Sequence, residues 1–178
     1  MREEIICAGF GGQGIMLLGK VLAQAALEEN KKTTWMPSYG AAMRGGCAYC
    51  MVVISDEEIA SPYVDKTDTL FVFNQPSWDR FKERVKKGGL ALVNSSLIKT
   101  GSLPDKIDVR NISFTEIATS LGDVRVANMV ALGAYLKNKN ILKLESVLSV
   151  FRQIAPKDKQ HLIEINQKAL EEGTRHGR

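Results

Sequence analysis

The chain has 178 residues, 44% hydrophobic and 25% charged, with a net charge of +4. These values suit a soluble globular protein with a sizeable core, and residues 1–178 are read as a single domain. No run of about 18 apolar residues occurs, so no membrane partner is predicted. Lysines and arginines are interspersed with acids rather than clustered with aromatics, so nucleic acid is not a predicted partner either. Met1-Arg2-Glu3-Glu4 lacks the basic and apolar regions of a signal peptide, and a cytoplasmic location is expected.

Glu3 to Ala8 reads as a short buried strand. Gly9-Phe10-Gly11-Gly12-Gln13-Gly14 follows, and then Ile15 to Glu29 shows a helical apolar period. Strand, glycine turn and helix together are the context in which a G-x-G-x-x-G match carries weight. Gly9, Gly11 and Gly14 let the backbone turn sharply, and the first amides of a helix favour an anion. The stretch is a candidate cradle for a phosphate; the alternative is a turn that serves packing alone. Ile15, Leu18, Val21, Leu22, Ala25 and Ala26 form one helical face, with Asn30 as the stop.

Thr33 to Met36 is predicted as a second strand, ended by Pro37. A dinucleotide site calls for an acid near that strand's end. None is present, which counts against NAD or FAD. Ser38 to Gly46 is an unusual loop, in which Arg44 beside Gly45-Gly46 could clamp a carboxylate or phosphate, or make a surface ion pair. Cys47 and Cys50 have C-x-x-C spacing, but they open an apolar strand, Tyr49 to Ser55. Buried strand cysteines on opposite faces are the expectation. Zinc or an iron–sulfur cluster would lack ligands on this chain, and no metal site is assigned.

Asp56-Glu57-Glu58 is read as a solvated hairpin tip. Thr69 to Phe73 is a strand ended by Asn74-Gln75-Pro76. Trp78 to Lys87 is a helix closed by Gly88-Gly89. Leu90 to Val93 is a strand ended by Asn94-Ser95-Ser96, and Lys106 to Ile112 another. Ser113 and Glu116 fit a capping box for the next helix. Asn128 to Leu136 is a helix rich in small residues, with Asn128 as its cap or as a polar contact. Leu144 to Ile154 and Lys159 to Leu170 are amphipathic, and Gly173 to Arg178 is expected to fray.

Alternating strands and helices predict an α/β fold in three layers, α/β/α, around a largely parallel or mixed sheet with a Rossmann-like glycine turn after its first strand. Ligands in such folds sit beyond the carboxyl ends of strands. The groups found there are Gln13, Asn74, Gln75, Asn94, Ser95 and Ser96. They suit recognition of an amide, hydroxyl or phosphate and do not suit proton transfer. His161 and His176 lie in the last helix and tail, so no catalytic residue is assigned.

Several segments are similar to the gamma subunit of 2-oxoacid:ferredoxin oxidoreductases. They are Gly9 to Gly14, Ser38-Tyr39-Gly40 with Met43-Arg44-Gly45-Gly46, Val52 to Asp56, Ser61-Pro62, Phe73 to Pro76, and Asn128 to Gly133. The similarity runs from about residue 3 to 172. It implies a complex that decarboxylates a 2-oxoacid on thiamine diphosphate with Mg2+. That complex passes electrons through [4Fe-4S] clusters to ferredoxin and forms an acyl-CoA. Those cofactors are implied to reside on alpha, beta and delta-type subunits, leaving this chain inactive alone and placed on the coenzyme A side. The Ser-Tyr-Gly wording resembles 2-oxoglutarate enzymes most, with pyruvate and branched-chain 2-oxoacids next. Ala41-Ala42 replaces the Pro-Glu of many relatives, so no role passes to that glutamate. Candidate contacts are Gly9, Gly11, Gly12, Gln13, Gly14, Arg44, Asn74 and Asn94. A free-standing nucleotide-binding protein and a purely architectural subunit are the competing readings.

Overall fold

The structure is a computed structural model and describes residues 1–38, 48–104, 106–154 and 160–177. Its strands are β1 (Arg2–Gly9), β2 (Lys32–Ser38), β3 (Ala48–Ser55), β4 (Thr67–Val72), β5 (Val85–Asn94) and β6 (Asp108–Ile112). Its helices are α1 (Ile15–Glu28), α2 (Gln75–Phe81), α3 (Phe114–Ser120), α4 (Ala127–Asn138), α5 (Leu144–Ile154) and α6 (Gln160–His176). The strands form one sheet in the order β2-β3-β1-β4-β5-β6. β4 runs parallel to β1, β5 to β4 and β6 to β5, whereas β3 is antiparallel to both of its neighbours, β1 and β2. The sheet is therefore mixed.

The insertion of β3 between β1 and β2 separates this fold from a dinucleotide-binding half, in which the second strand lies beside the first. It also corrects the reading of Asp56-Glu57-Glu58 as a hairpin tip. The chain leaves β3 there and passes to β4 on the far side of β1. Asp56 instead pairs with the amino group of Met1 at 2.8 Å.

The two sheet faces are covered unequally. Ile5, Cys7, Cys50, Val52, Phe71 and Leu92 pack under α1, α3, α4, α5 and α6. Ile6, Ala8, Met51, Val53, Leu70 and Val72 pack under Trp78 and Phe81 of α2 and the segments beside it. Alternation along β1 and β3 thus sends side chains into two separate clusters. α1 buries the predicted face, Ile15, Leu18, Val21, Leu22, Ala25 and Ala26. Asn30 ends it in the left-handed region at φ 58°.

Several boundaries differ from the sequence reading, each for a local reason. Pro37 lies inside β2 rather than ending it; β2 is an edge strand, where a residue without an N–H is tolerated. α2 begins three residues early because Asn74 Oδ1 accepts from Ser77 N at 2.9 Å and Pro76 occupies the first turn. It gives way to a 3-10 turn over Lys82–Arg84. Gly88-Gly89 therefore does not cap a helix. The β4–β5 register jumps from Thr67↔Val85 to Thr69↔Leu90, and the glycines lie in that bulge.

The capping box at Ser113 does not form; its side chain makes no cap bond. The orphan amides of α3 are met from β5 and the residues just after it. Asn94 Oδ1 accepts from Thr115 N at 3.3 Å, and Ser96 Oγ from Glu116 N at 3.3 Å. α6 continues to His176 where fraying was expected. Gly133 of α4 and Gly173 of α6 meet across their contact, so each helix packs against the other's backbone. This contact explains the small residues of α4, which is buried from Ala127 to Tyr135.

Candidate functional site

β1, β2, β4, β5 and β6 all point the same way, so their carboxyl ends gather at one end of the sheet. The glycine turn, Asn74, Asn94 and the start of α3 meet there. Arg44, with Cys47, falls outside the described residues.

The glycine turn divides into held shoulders and an open crest. A Cβ on Gly9 would lie 2.6 Å from Gln13 Oε1 and 2.9 Å from Ile15 Cδ1, so that glycine serves close packing. A Cβ on Gly14 would overlap the Asn128 side-chain amide, and Gly14 takes φ 71° as the N-cap of α1. Among the described residues a Cβ on Gly11 or Gly12 would meet nothing within 4 Å, and Gly12 sits at φ 90°. Both crest glycines are exposed.

Gln13 braces the turn. Its Oε1 accepts from Phe10 N at 2.7 Å, and its Nε2 donates to the Phe73 carbonyl at 3.2 Å. Asn128 braces the other side, donating from Nδ2 to the Gly14 carbonyl at 3.1 Å. It lies inside α4, whose N-cap is Val126, so it is not the helix cap. α1 begins with no side-chain cap and no acid in its first turn. Its leading amides thus face a region without a competing carboxylate on the helix.

The two asparagines are placed differently. Asn94 is fully buried; its Nδ2 donates to Thr115 Oγ1 at 2.8 Å and its Oδ1 accepts from Thr115 N. Its amide is engaged within the fold and orients Thr115. Asn74 is also buried, and while its Oδ1 caps α2, its Nδ2 has no partner among the described residues.

Two cavities flank the crest and share Gly12. One of about 310 Å3 is lined by Phe10, Gly11, Gly12, Ile15, Leu17 and Ala48, among others. The other, about 170 Å3, touches Gln13, Phe73, Leu97, Thr115, Val124 and Arg125. Phe10, Leu17, Leu97 and Val124 are exposed despite their size. A cluster of exposed apolar side chains beside a concave site marks a contact surface. Arg125 supplies a guanidinium at the smaller cavity, but Asp123 binds it at 2.7 Å. That bond holds the Asp123 carboxyl below the usual range. The sequence reading missed Phe10, Leu17, Leu97 and Val124, because exposure of an apolar residue leaves no mark in spacing. Thr115 and Arg125 were missed because they join the site only through chain folding.

Among the described residues no group of three or more His, Cys, Asp or Glu is arranged to hold a metal ion. Among them also, no helix is long and apolar enough to cross a membrane.

The comparisons with known proteins converge on one family. The model for pyruvate ferredoxin/flavodoxin oxidoreductase matches residues 4–176. The 2-oxoglutarate synthase subunit KorC of Methanocaldococcus jannaschii is 41% identical over 162 residues, covering 88% of this chain and 86% of KorC. The ketoisovalerate oxidoreductase subunit VorA of Methanothermobacter marburgensis is 42% identical over 170 residues. That match covers 93% of this chain but 34% of VorA, so the chain spans about a third of this relative. The solved gamma subunit of a keto/oxoacid ferredoxin oxidoreductase from Geobacter sulfurreducens aligns with TM-score 0.84 at 30% identity, covering 98% of both chains. The fold also matches, at TM-score 0.91 and 24% identity, 31% of a chain of 2-oxoglutarate:ferredoxin oxidoreductase from Magnetococcus marinus, solved with 2-oxoglutarate, coenzyme A and succinyl-CoA bound. With the family model matched over residues 4–176 and both KorC and the Geobacter gamma subunit covered almost end to end, the chain belongs to the pyruvate ferredoxin/flavodoxin oxidoreductase family, as a gamma-type subunit of a 2-oxoacid:ferredoxin oxidoreductase.

Proposed function

We propose that the complex containing this chain oxidises 2-oxoglutarate to succinyl-CoA, and that the crest of the glycine turn contacts coenzyme A. The observation that carries this reading is the open backbone at Gly11 and Gly12 beside an uncapped helix start. The residues fit the group. An anion suits the leading amides of α1, and an uncharged arm suits the cavity beside Phe10 and Leu17. The chain's residues bind and orient; none is assigned a proton transfer. The choice of 2-oxoglutarate rests on the KorC relative. Thiamine diphosphate, Mg2+ and the [4Fe-4S] clusters are assigned to alpha, beta and delta-type companions, through which ferredoxin is reduced.

Gly11→Asp tests the contact, because it adds a carboxylate where space is open. In the assembled complex the KM for coenzyme A is expected to rise by about tenfold, equivalent to about 1.4 kcal/mol, with the KM for 2-oxoglutarate unchanged. An unchanged KM for coenzyme A overturns it.

A second reading has its own support. Gln13 and Asn128 are spent inside the turn, and four apolar side chains surround it. The crest would then dock on a companion subunit. Loss of assembly in Gly11→Asp, with no separate effect on coenzyme A, favours that reading.

A further inference from the structure

Cys7 on β1 and Cys50 on β3 stand directly opposite each other in the antiparallel ladder. Both are fully buried on the face covered by five helices. Directly opposed residues in such a ladder have Cα atoms about 4.5–5.5 Å apart. A disulfide spans Cα separations of about 4.4–6.8 Å. Cys50 Sγ donates to the Ile15 carbonyl at 3.5 Å. Gly19 of α1 makes room for the sulfur, since a Cβ there would overlap Cys50 Sγ. The pair lies two rungs below Gly9, the end of β1.

We propose that Cys7 and Cys50 form a reversible cross-strand disulfide on exposure to a two-electron oxidant such as hydrogen peroxide, fastening β1 to β3 beneath the glycine turn. One thiolate attacks peroxide, the O–O bond breaks, and a sulfenic acid and one water result. The second thiolate attacks that sulfur, the S–S bond forms, and hydroxide leaves to become a second water. The two sulfurs together lose two electrons and the peroxide gains them; their two protons end in water. A dithiol reductant restores both thiols by exchange. Burial pushes the Cys7 thiol up, with the neighbouring Cys50 adding to it. The reacting thiolate is therefore scarce, and oxidation proceeds through local opening of the strand ends. Once the bond forms, Cys50 has no proton for the Ile15 carbonyl, and the first turn of α1 loses that contact.

The test uses the assembled complex carrying Cys47→Ser, which leaves Cys7 and Cys50 as the cysteines of this chain. After treatment with hydrogen peroxide, free thiols are alkylated and the protein is digested without reductant. The expected result is a joined peptide pair through Cys7 and Cys50, lighter by two hydrogens than the separate peptides, that disappears on adding dithiothreitol. Recovery of both residues as alkylated thiols, or as separate, unlinked sulfinic acids, overturns the proposal.

Discussion

Asn128 reaches from α4 to the carbonyl of Gly14, 3.1 Å away, and so ties the start of α1 to the helix beside it. The same carbonyl also accepts from Leu18 N at 2.9 Å. Removing the side chain therefore leaves that oxygen with one partner. Asn128→Ala is expected to cost about 1 kcal/mol, the ordinary net worth of one hydrogen bond. Urea unfolding of the two proteins measures it, and a loss above about 3 kcal/mol would mean the amide carries more than this bond.

Glycines in this chain should separate sharply by place. A Cβ on Gly133 would strike the Leu170 carbonyl and one on Gly173 the Val130 carbonyl, both backbone atoms that cannot swing aside. Gly133→Ala is expected to cost about 3 kcal/mol or more through forced separation of α4 and α6. Gly11→Ala meets no described residue within 4 Å and should stay within about 0.5 kcal/mol. Thermal unfolding of both variants decides; equal losses would contradict the close α4–α6 contact.

The start of α3 gives a third test. Ser113→Ala should leave stability within about 0.5 kcal/mol, because its hydroxyl caps nothing. Asn94→Ala should cost about 1–3 kcal/mol, because it strips a buried pair of bonds from Thr115. The opposite ranking in denaturant midpoints would restore the capping box.

Glu3 and Glu4 are neighbours whose acidities move in opposite directions. Burial raises the Glu3 carboxyl above its ordinary 4.5, against the Thr69 bond and the nearby Lys139. Burial also opposes charge on Glu4, but bonds from Lys86 and Arg2 outweigh it and hold that carboxyl below 4.5. For Glu4 the unfolded chain takes the proton first, so its contribution is present above pH 4.5 and lost as pH falls through the folded value. For Glu3 the folded chain keeps the proton longer, so its contribution is present below pH 4.5 and lost as pH rises through the folded value. Glu4→Gln should flatten the acid limb of stability against pH, and Glu3→Gln the decline above pH 4.5. Denaturant midpoints across that range measure both slopes.

What could be read from residues alone was local. The period of Ile15 to Ala26 named the buried face of α1, and the apolar run around Cys50 named a core strand. Pairing was less accessible: nothing in Thr33 to Met36 says that β3 comes between it and β1. Caps supplied from a distance were equally hidden, since Ser113 and Glu116 carry the right letters while Asn94 and Ser96 do the work. The tail misled because Gly173 counts as a helix breaker in isolation and as a close-packing residue against α4. At the candidate site, the glycines were visible as a motif, but which were spent on packing depended on Gln13, Ile15 and Asn128.

The glycine turn is pinned at both shoulders, by Gln13 to Phe73 just past β4 and by Asn128 on α4, while among the described residues nothing crowds its crest. A loop already frozen into shape surrenders little motion when something settles on it. Its contacts can therefore be few and still hold, and release can be quick because no rearrangement has to be undone. For the coenzyme A contact proposed above, that rigidity would suit binding and release once in every turnover.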